Sequence, residues 1–233
     1  MNQIKFFIII ISFSFINAQQ ERETIILGDY NSIYVYQGIE VDLIKSDINK
    51  ISLESSNGDL SVFGYKIKNG ILKLRQTLDK NLSIGKVKVT IYNKSSIEII
   101  KLFQGSTMKI KNPLIQTNVE IKVQEGSSLN GCIKADKILV EVFSGGSADL
   151  KGETTICEII SSTGGIFSGE ELFSKQLKVK SSFGSLAYVR SSVLMEANAS
   201  IGSTVRVYGQ PKKIIQKTSF GGKIIRMKET SPF

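Results

Sequence analysis

Carboxylates are the side chains with which this sequence could hydrolyse a glycoside. The chain has no histidine, so it cannot build a Ser-His-Asp triad or a histidine-bound metal site. Glycoside hydrolysis would need two carboxylates facing each other at a set separation, and Glu141 and Glu158 are the pair that the chain could bring onto neighbouring turns. Because outward charged residues usually form a solvated face, we predict no catalytic residue, cofactor or metal. The other acidic residues in this region are Glu98, Glu120, Glu125, Asp136, Asp149, Glu153, Glu170, Glu171 and Glu196.

A recurring glycine divides the chain after residue 97 into segments that would have to position these side chains. The gaps between successive glycines are 21, 19, 19, 20, 18 and 19 residues. The glycines, which we interpret as structural corners, are Gly105, Gly126, Gly145, Gly164, Gly184, Gly202 and Gly221.

Apolar residues keep a constant distance from these glycines. The residues five and seven before each glycine are apolar except Gln216 and Glu98, and those six and four before include Lys178 and Lys180, which a period of two places outside. The residues three positions after each glycine are all apolar, and we predict that they form the core: Met108, Leu129, Ala148, Phe167, Ala187, Val205 and Ile224.

This phase predicts an all-β fold, a right-handed parallel β-helix (solenoid) with coils of about 19 residues. One repeat has too little surface to bury its apolar residues alone, whereas stacked copies bury them in one column. The connections are too short for the helix of a βαβ unit. An antiparallel sandwich built from hairpins is the alternative; it explains the number of strands but not the constant phase.

Glycine and serine at the corners suit a sharp bend. Glycine accepts positive φ without steric cost, and serine can bond backbone groups that the bend leaves unpaired. A ligand-binding loop is the alternative, but a phosphate cradle would need a following helix, and none is indicated.

The two cysteines fall at different points of the repeat. Cys132 lies six residues after Gly126, and Cys157 lies seven residues before Gly164. We therefore expect no disulfide, and we interpret Cys157 as a small core residue.

The N-terminal part has two sections before the coils. Residues 1–18, with Lys5 followed by an apolar run and Ala18, are typical of a cleaved signal peptide; a membrane anchor, the alternative, needs about 20 apolar residues. We predict one all-β domain over residues 19–233, with N-terminal strands at 24–95 and repeat coils at 97–227. Turns are indicated at Asn57-Gly58 and Asn69-Gly70, the second within a hairpin that leads into the solenoid.

The net charge of the chain favours some classes of binding partner over others. Without Lys5 the chain has 29 basic and 21 acidic residues, a formal charge of +8. This balance could favour anionic polysaccharide, lipopolysaccharide or a membrane surface, whereas export argues against nucleic acid. The sequence shows no transmembrane segment in the mature chain.

Several of these features together resemble a known family. The opening strands from Asn31 to Leu43, the hairpin ending in Leu74, the repeated Gly-Gly-Ser corners and the stretch from Gly209 to Gly222 look like the family called putative auto-transporter adhesin, head GIN domain. That resemblance implies a Bacteroidetes-type exported β-helix protein of uncharacterised function in the periplasm, on the outer-membrane surface or outside the cell. The family's corners usually read Ser-Gly-Gly-Ser-Asp. Only Ser144 to Asp149 approximates this here, which argues against a calcium-binding array of corner aspartates.

Two functions follow as hypotheses. The first is a non-enzymatic envelope or surface protein, adhesin-like or scaffolding, whose rigid face binds a cell-surface glycan or an envelope protein. The second is a carbohydrate-active enzyme, a lyase or hydrolase, that uses the solenoid face as a substrate groove. It requires a carboxylate or Lys/Arg cluster at the middle of one face.

Overall fold

The computed structural model describes residues 22–55, 60–76 and 87–227. These residues form β-strands and turns and contain no helix. The predicted signal peptide and the turn at Asn57-Gly58 lie outside the described residues. The strands are β1 (Arg22–Ile26), β2 (Ser32–Val35), β3 (Glu40–Lys45), β4 (Lys50–Ser55), β5 (Phe63–Lys68), β6 (Ile71–Gln76), β7 (Val87–Asn93), β8 (Ile99–Leu102), β9 (Thr107–Val123), β10 (Ser128–Val142), β11 (Ser147–Ser161), β12 (Ile166–Ser181), β13 (Leu186–Ser200), β14 (Thr204–Tyr208), β15 (Lys213–Ser219) and β16 (Lys223–Arg226).

The predicted solenoid is confirmed. Strands β9 to β13 pair in parallel and in sequence order, and the register places Leu129 opposite both Met108 and Ala148. Residues at the same distance from their glycine are therefore stacked on neighbouring coils. The parallel pairing excludes the antiparallel sandwich, and the whole stack has about 7 turns.

The solenoid extends further toward the N terminus than the glycine spacing indicates. Strands β2 and β3 flank a turn at Gln37-Gly38, and they pair in parallel with β8 and β9. The Gly38 N–H donates to the carbonyl of Gln104 over 2.9 Å. The sequence places strands β2 and β3 among the N-terminal strands that precede the coils. In the structure they form the first coil of the stack.

The remaining N-terminal strands extend the sheets on both faces of this first coil. On one face β7 pairs in parallel with β3, and β4 and β1 follow in antiparallel order. On the other face β6 pairs in parallel with β2. Strands β5 and β6 form the predicted hairpin around Asn69-Gly70, which is confirmed.

The core is the column of inward residues. Met108, Leu129, Ala148, Phe167, Ala187 and Val205 are each at most 1% exposed. Ile224 is half-buried and packs against the same core, because β16 has β14 as its neighbour and none further along in the described chain. Gln216 and Glu98, which break the apolar pattern, are both exposed.

Each glycine corner is a two-residue turn in the left-handed region. The seven predicted glycines have φ between 67° and 77°, and the residue before each also has positive φ. The glycine N–H of a corner donates to the carbonyl of the residue that precedes the glycine of the next corner, over 2.9–3.2 Å. The corners are therefore joined by a ladder of backbone hydrogen bonds along the stack.

Serine after the glycine bonds backbone groups at several corners. The Ser106 hydroxyl donates to Phe103 O over 2.7 Å, and those of Ser185 and Ser203 each bond a carbonyl of the preceding coil. Where the glycine is doubled, the chain is too close for a side chain. A Cβ on Gly165 would lie 2.3 Å from the carbonyl oxygen of Val142.

Candidate binding groove at the second corner

Each coil bends a second time, at a point where the sequence has no constant residue. Strands alternate inward and outward residues, but β10 has two consecutive exposed residues, Asp136 and Lys137, and β12 has Lys175 and Gln176. Equivalent pairs occur in β9, β11 and β13. We call this bend the second corner. The residues directly before each exposed pair are stacked in register: Gln116, Ala135, Thr154, Ser174 and Ser191.

Four of these five stacked residues are polar and bond the backbone that the bend frees. The Gln116 amide accepts from Ile97 N over 3.1 Å and donates to Asn118 O over 2.7 Å. The Thr154 hydroxyl lies 3.0 Å from the carbonyl oxygen of Ile156, and Ser191 Oγ lies 2.9 Å from that of Leu194. These short side chains take the place of ladder hydrogen bonds, so the second corner is held rigidly.

The variable gaps between glycines arise around this bend. Register shifts occur before it, between Gly131 and Ile133, Asp149 and Gly152, and Gly169 and Ser174, and at it, between Ser174 and Gln176. The glycine corner is a two-residue turn at every coil, so the irregularities around the second corner absorb the differences in coil length.

A groove runs across the second corner on its outer side. It has a volume of about 860 Å³, which is within the usual range for ligand sites, and it crosses the coils from Gln116 to Gln210. Its lining combines exposed apolar surface with hydroxyls, amides and charges. The residues that line the groove include Ile115, Lys134, Asp136, Glu153, Thr155, Phe173, Lys175, Arg190, Ser192 and Gln210.

The groove's aromatic residue is held in place by an arginine. The Arg190 guanidinium lies 5.0 Å from the centre of the Phe173 ring and 5.9 Å from that of Tyr208. Arg190 Nε donates to Glu170 O over 2.6 Å, which anchors the cation to the neighbouring coil. Phe173 nevertheless remains 56% exposed, so its ring offers a fixed apolar face to solvent.

Charged residues at the middle of the groove form a mixed cluster. Lys134 Nζ lies 3.8 Å from Glu153 Oε1, and the Glu153 side chain is 71% exposed. Asp136 and Lys175 line the same groove. The repeat pattern does not predict this charged cluster. It identifies the inward residues of each coil, but it does not show which outward residues of neighbouring coils lie together.

The carboxylates that the sequence proposed as a catalytic pair lie elsewhere. Glu141 and Glu158 occupy neighbouring strands on the face before the glycine corner, two residues out of register. Glu141 is bound by Lys122 at 3.1 Å. This placement makes Glu141 part of a charge ladder between coils.

The same ladder includes Lys101 and Glu120, which lie 3.1 Å apart. Partial burial of Lys101 lowers its pKa, but the hydrogen bond and charge of Glu120 raise it, and the net pKa is above the ordinary value. Neighbouring coils are thus cross-linked by opposite charges.

The acidic residues and cysteines are the candidate metal ligands of this chain. Among the residues with a described placement, no group of three or more Cys, Asp or Glu side chains is arranged to hold a metal ion. Cys132 and Cys157 are both free, and Cys157 is buried. Burial raises the pKa of the Cys157 thiol to about 12.

Comparison with known proteins assigns the family. The family described as "Putative auto-transporter adhesin, head GIN domain" matches residues 29–211. The chain belongs to this family. The match confirms the resemblance carried by the opening strands, the hairpin and the glycine corners.

Solved structures share the head GIN fold. A putative adhesin from Bacteroides fragilis is 15% identical, with a TM-score of 0.80, covering 90% of this chain and 98% of its own. Putative adhesins from Parabacteroides distasonis and Parabacteroides merdae are 19% and 15% identical, with TM-scores of 0.73 and 0.71; each comparison covers 91% of this chain and 98% of the other. At these identities the likeness shows the fold.

Other comparisons add little to this head GIN chain. No functionally curated protein matches it. The described part contains no helix that could span a membrane.

Asp149, at the one corner that approximates the family's acidic motif, accepts a hydrogen bond from Asn130 of the preceding coil over 2.9 Å.

Proposed function

We propose that this chain is a non-enzymatic, exported surface protein of the adhesin type that binds a glycan in the groove at the second corner. Membership of a family named for adhesins supports the surface role. The single observation that carries the ligand assignment is the exposed Phe173 ring, held by Arg190 among hydroxyl and amide side chains.

The groove chemistry matches a sugar. Pyranose rings present an apolar face and a rim of hydroxyl groups, and an aromatic ring can cover the first while polar groups bond the second. Phe173 supplies the ring, and Thr155, Ser192 and Gln210 supply hydrogen-bonding groups along the same groove. Lys175 and Arg190 add positive charge, which would favour an acidic glycan.

The groove's shape favours an extended polymer. It crosses the coils of β9 to β14, which are five steps, and at about 4.8 Å for each step this gives about 24 Å. A rigid solenoid keeps these positions at fixed spacing, so little ordering entropy would be lost on binding.

The second candidate is a glycoside hydrolase or lyase in the same groove. The observation that favours it is that Asp136 and Glu153 both line the groove, beside Lys134 and Lys175. A glycosidase needs carboxylates in distinct environments that separate the acid from the base or nucleophile. Glu153 is instead largely exposed and paired with Lys134, which suits a solvated ion pair and makes catalysis the weaker candidate.

A glycan array with matched variants tests the proposal. The purified protein should bind one class of glycan, with acidic glycans preferred, and Phe173→Ala should weaken that binding at least tenfold while leaving the melting temperature almost unchanged. Phe183→Asn is the control, because Phe183 is similarly exposed at the glycine corner. The absence of binding to any glycan, or equal loss in the control, would contradict the assignment.

Catalysis is tested separately on the glycans that bind. We expect no new reducing ends and no unsaturated products after prolonged incubation. Release of such products, abolished by Asp136→Asn or Glu153→Gln, would replace the binding function with the enzymatic one.

A further inference from the structure

The residues that precede the corner glycines form an exposed stripe along the solenoid, and the character of this stripe changes along its length. Each has positive φ, and all except the half-buried Gln37 are exposed. From the N-terminal side the stripe contains Gln37, Gln104, Glu125, Ser144, Thr163, Phe183, Ile201 and Phe220. Five polar residues are therefore followed by three apolar ones.

The three apolar residues are strongly exposed. Phe183, Ile201 and Phe220 are 57%, 42% and 85% exposed. Their corners are consecutive, since Gly184 N donates to Ile201 O over 3.0 Å and Gly202 N donates to Phe220 O over 3.1 Å. The three side chains thus form one apolar ridge about two coil spacings long, roughly 10 Å.

Neither burial nor backbone preference explains this ridge. Positive φ disfavours bulky and β-branched residues, and Ile201 has φ 48°. The polar residues at the other corners show that the turn itself does not require an apolar side chain. An exposed apolar residue in a disfavoured conformation points to a contact outside the chain.

The charge around the ridge is positive. Residues 183–227, which span the ridge, contain seven basic residues and one acidic one, Glu196, whereas residues 22–55 contain three basic and six acidic ones. Lys217 and Lys223 lie within three residues of Phe220, and both are exposed. Lys180 lies three residues before Phe183, in the same register column as Lys217.

We infer that this C-terminal end docks on an anionic phospholipid surface, with Phe183, Ile201 and Phe220 inserted at the interface and Lys180, Lys217 and Lys223 over the headgroups. Apolar side chains ringed by lysines are the combination that binds anionic bilayers. Two copies docked through their C-terminal ends would bring like charges together, so charge complementarity favours the anionic lipid over that dimer. The groove at the second corner would remain open to its own ligand.

Vesicle sedimentation tests this docking. The protein should bind phosphatidylglycerol-containing vesicles in low salt and release them as the salt rises, and it should not bind pure phosphatidylcholine. The triple variant Phe183→Asn, Ile201→Asn, Phe220→Asn should lose at least tenfold in binding. Asparagine tolerates positive φ, so this variant should melt at or above the wild-type temperature.

Two controls separate the ridge from general surface properties. Phe173→Ala removes an equally exposed ring from the groove and should bind vesicles like the wild type. Lys217→Gln with Lys223→Gln should weaken binding about fivefold for each charge, whereas Lys66→Gln with Lys68→Gln on the N-terminal hairpin should not. If the wild-type protein binds vesicles but no glycan, the result contradicts the proposed function and leaves the membrane docking supported.

Three results would overturn the inference. They are equal binding to neutral and anionic vesicles, wild-type binding by the triple asparagine variant, and no vesicle binding at all. Dimerisation in solution that the asparagine variant abolishes, without vesicle binding, would instead assign the ridge to contact between copies of the chain.

Discussion

Gly152 on β11 lies against the backbone carbonyl of Ile133 on β10, so closely that a Cβ at this position would be 2.1 Å from the carbonyl oxygen. The two residues are opposite each other in the parallel register, directly beside the bulge that precedes the second corner. Gly152 also has φ 119°, a conformation that other residues rarely adopt. The close contact between coils at this bulge therefore depends on the absence of a side chain.

Gly152→Ala should consequently be among the most destabilising of the glycine substitutions. Moving backbone to admit the methyl group, together with the unfavourable φ, should cost about 3 kcal/mol or more. Gly126→Ala is the matched control, because a Cβ there has nothing within 4 Å and meets the backbone penalty of φ +71° alone, about 1 kcal/mol. Urea denaturation measures both; equal losses would contradict the role of the close contact.

The period and phase of the coils could be predicted because they depend on local requirements that each coil repeats. A two-residue turn needs glycine, and inward positions need apolar residues, so Met108 through Val205 could be assigned to the core by counting from the corners. Two positions break this rule. Gln216 lies on β15, which pairs only with β13 among the described strands, and Glu98 is an exposed residue directly before β8.

The first coil escaped prediction because an insertion separates its corner from the next one. Gly38 precedes Gly105 by 67 residues, and this distance hides the period. A signal was present in the dipeptides Gln37-Gly38 and Gln104-Gly105, each preceded by an aromatic residue. Tyr36 and Phe103 stack with ring centres 4.8 Å apart and an interplanar angle of 9°.

The groove could not be predicted because no residue type marks the second corner. Glutamine, alanine, threonine and serine all occupy it, and bulges vary its distance from the glycine. What unites Phe173 and Arg190 is a cation–π contact between coils, and such a contact becomes visible only when the register is known.

The loss of stability when a serine at a glycine corner is replaced by alanine should depend on the hydrogen bonds that its hydroxyl makes. Ser203 Oγ accepts from Ser200 N over 3.0 Å and donates to Ser181 O over 2.8 Å. Ser203→Ala removes the acceptor of the half-buried Ser200 N–H and the donor to Ser181 O, and should cost about 1–2 kcal/mol. The measurement is the free energy of unfolding in urea.

Ser127→Ala is the matched comparison for Ser203→Ala. Ser127 is equally buried, but its hydroxyl has no hydrogen-bond partner among the described residues. Removing this hydroxyl should be neutral or slightly stabilising. A larger loss for Ser127→Ala than for Ser203→Ala would contradict the assigned bonding.

The two thiols should differ in reactivity. Cys157 is buried and burial raises its pKa to about 12, whereas Cys132 is half-buried. At pH 8 a thiol reagent should modify one group in the native protein and two in guanidinium, and Cys132→Ser should remove the native reaction. Two thiols modified rapidly without denaturant would contradict the burial of Cys157.

The same thiol makes a contribution to stability that depends on pH. Because the folded pKa is above that of the unfolded chain, this contribution is fully present below about pH 9 and is lost as the pH rises toward about 12. Cys157→Ala should therefore reduce the fall in melting temperature between pH 9 and 11 relative to the wild type. An identical fall in both proteins would contradict the raised pKa.

The coil register is tested most directly by one inward and one outward substitution on β12. Phe167 is completely buried. Its ring packs so closely on Gly169 that a Cβ at residue 169 would lie 2.4 Å from the nearest carbon of the ring. Loss of a core phenylalanine costs about 3–5 kcal/mol, and burial of a carboxylate adds to this. Phe167→Asp should therefore abolish folding, since total stabilities are about 5–15 kcal/mol.

Lys178→Asp is the outward partner of this test. Lys178 is exposed and lies between Glu158 and Glu196 in the register. The new acid would meet two like charges in solvent, at a cost of about 1 kcal/mol or less, so the variant should fold and melt within a few degrees of the wild type. Circular dichroism during heating compares the two variants, and equal stability would show that the inward and outward positions have been assigned incorrectly.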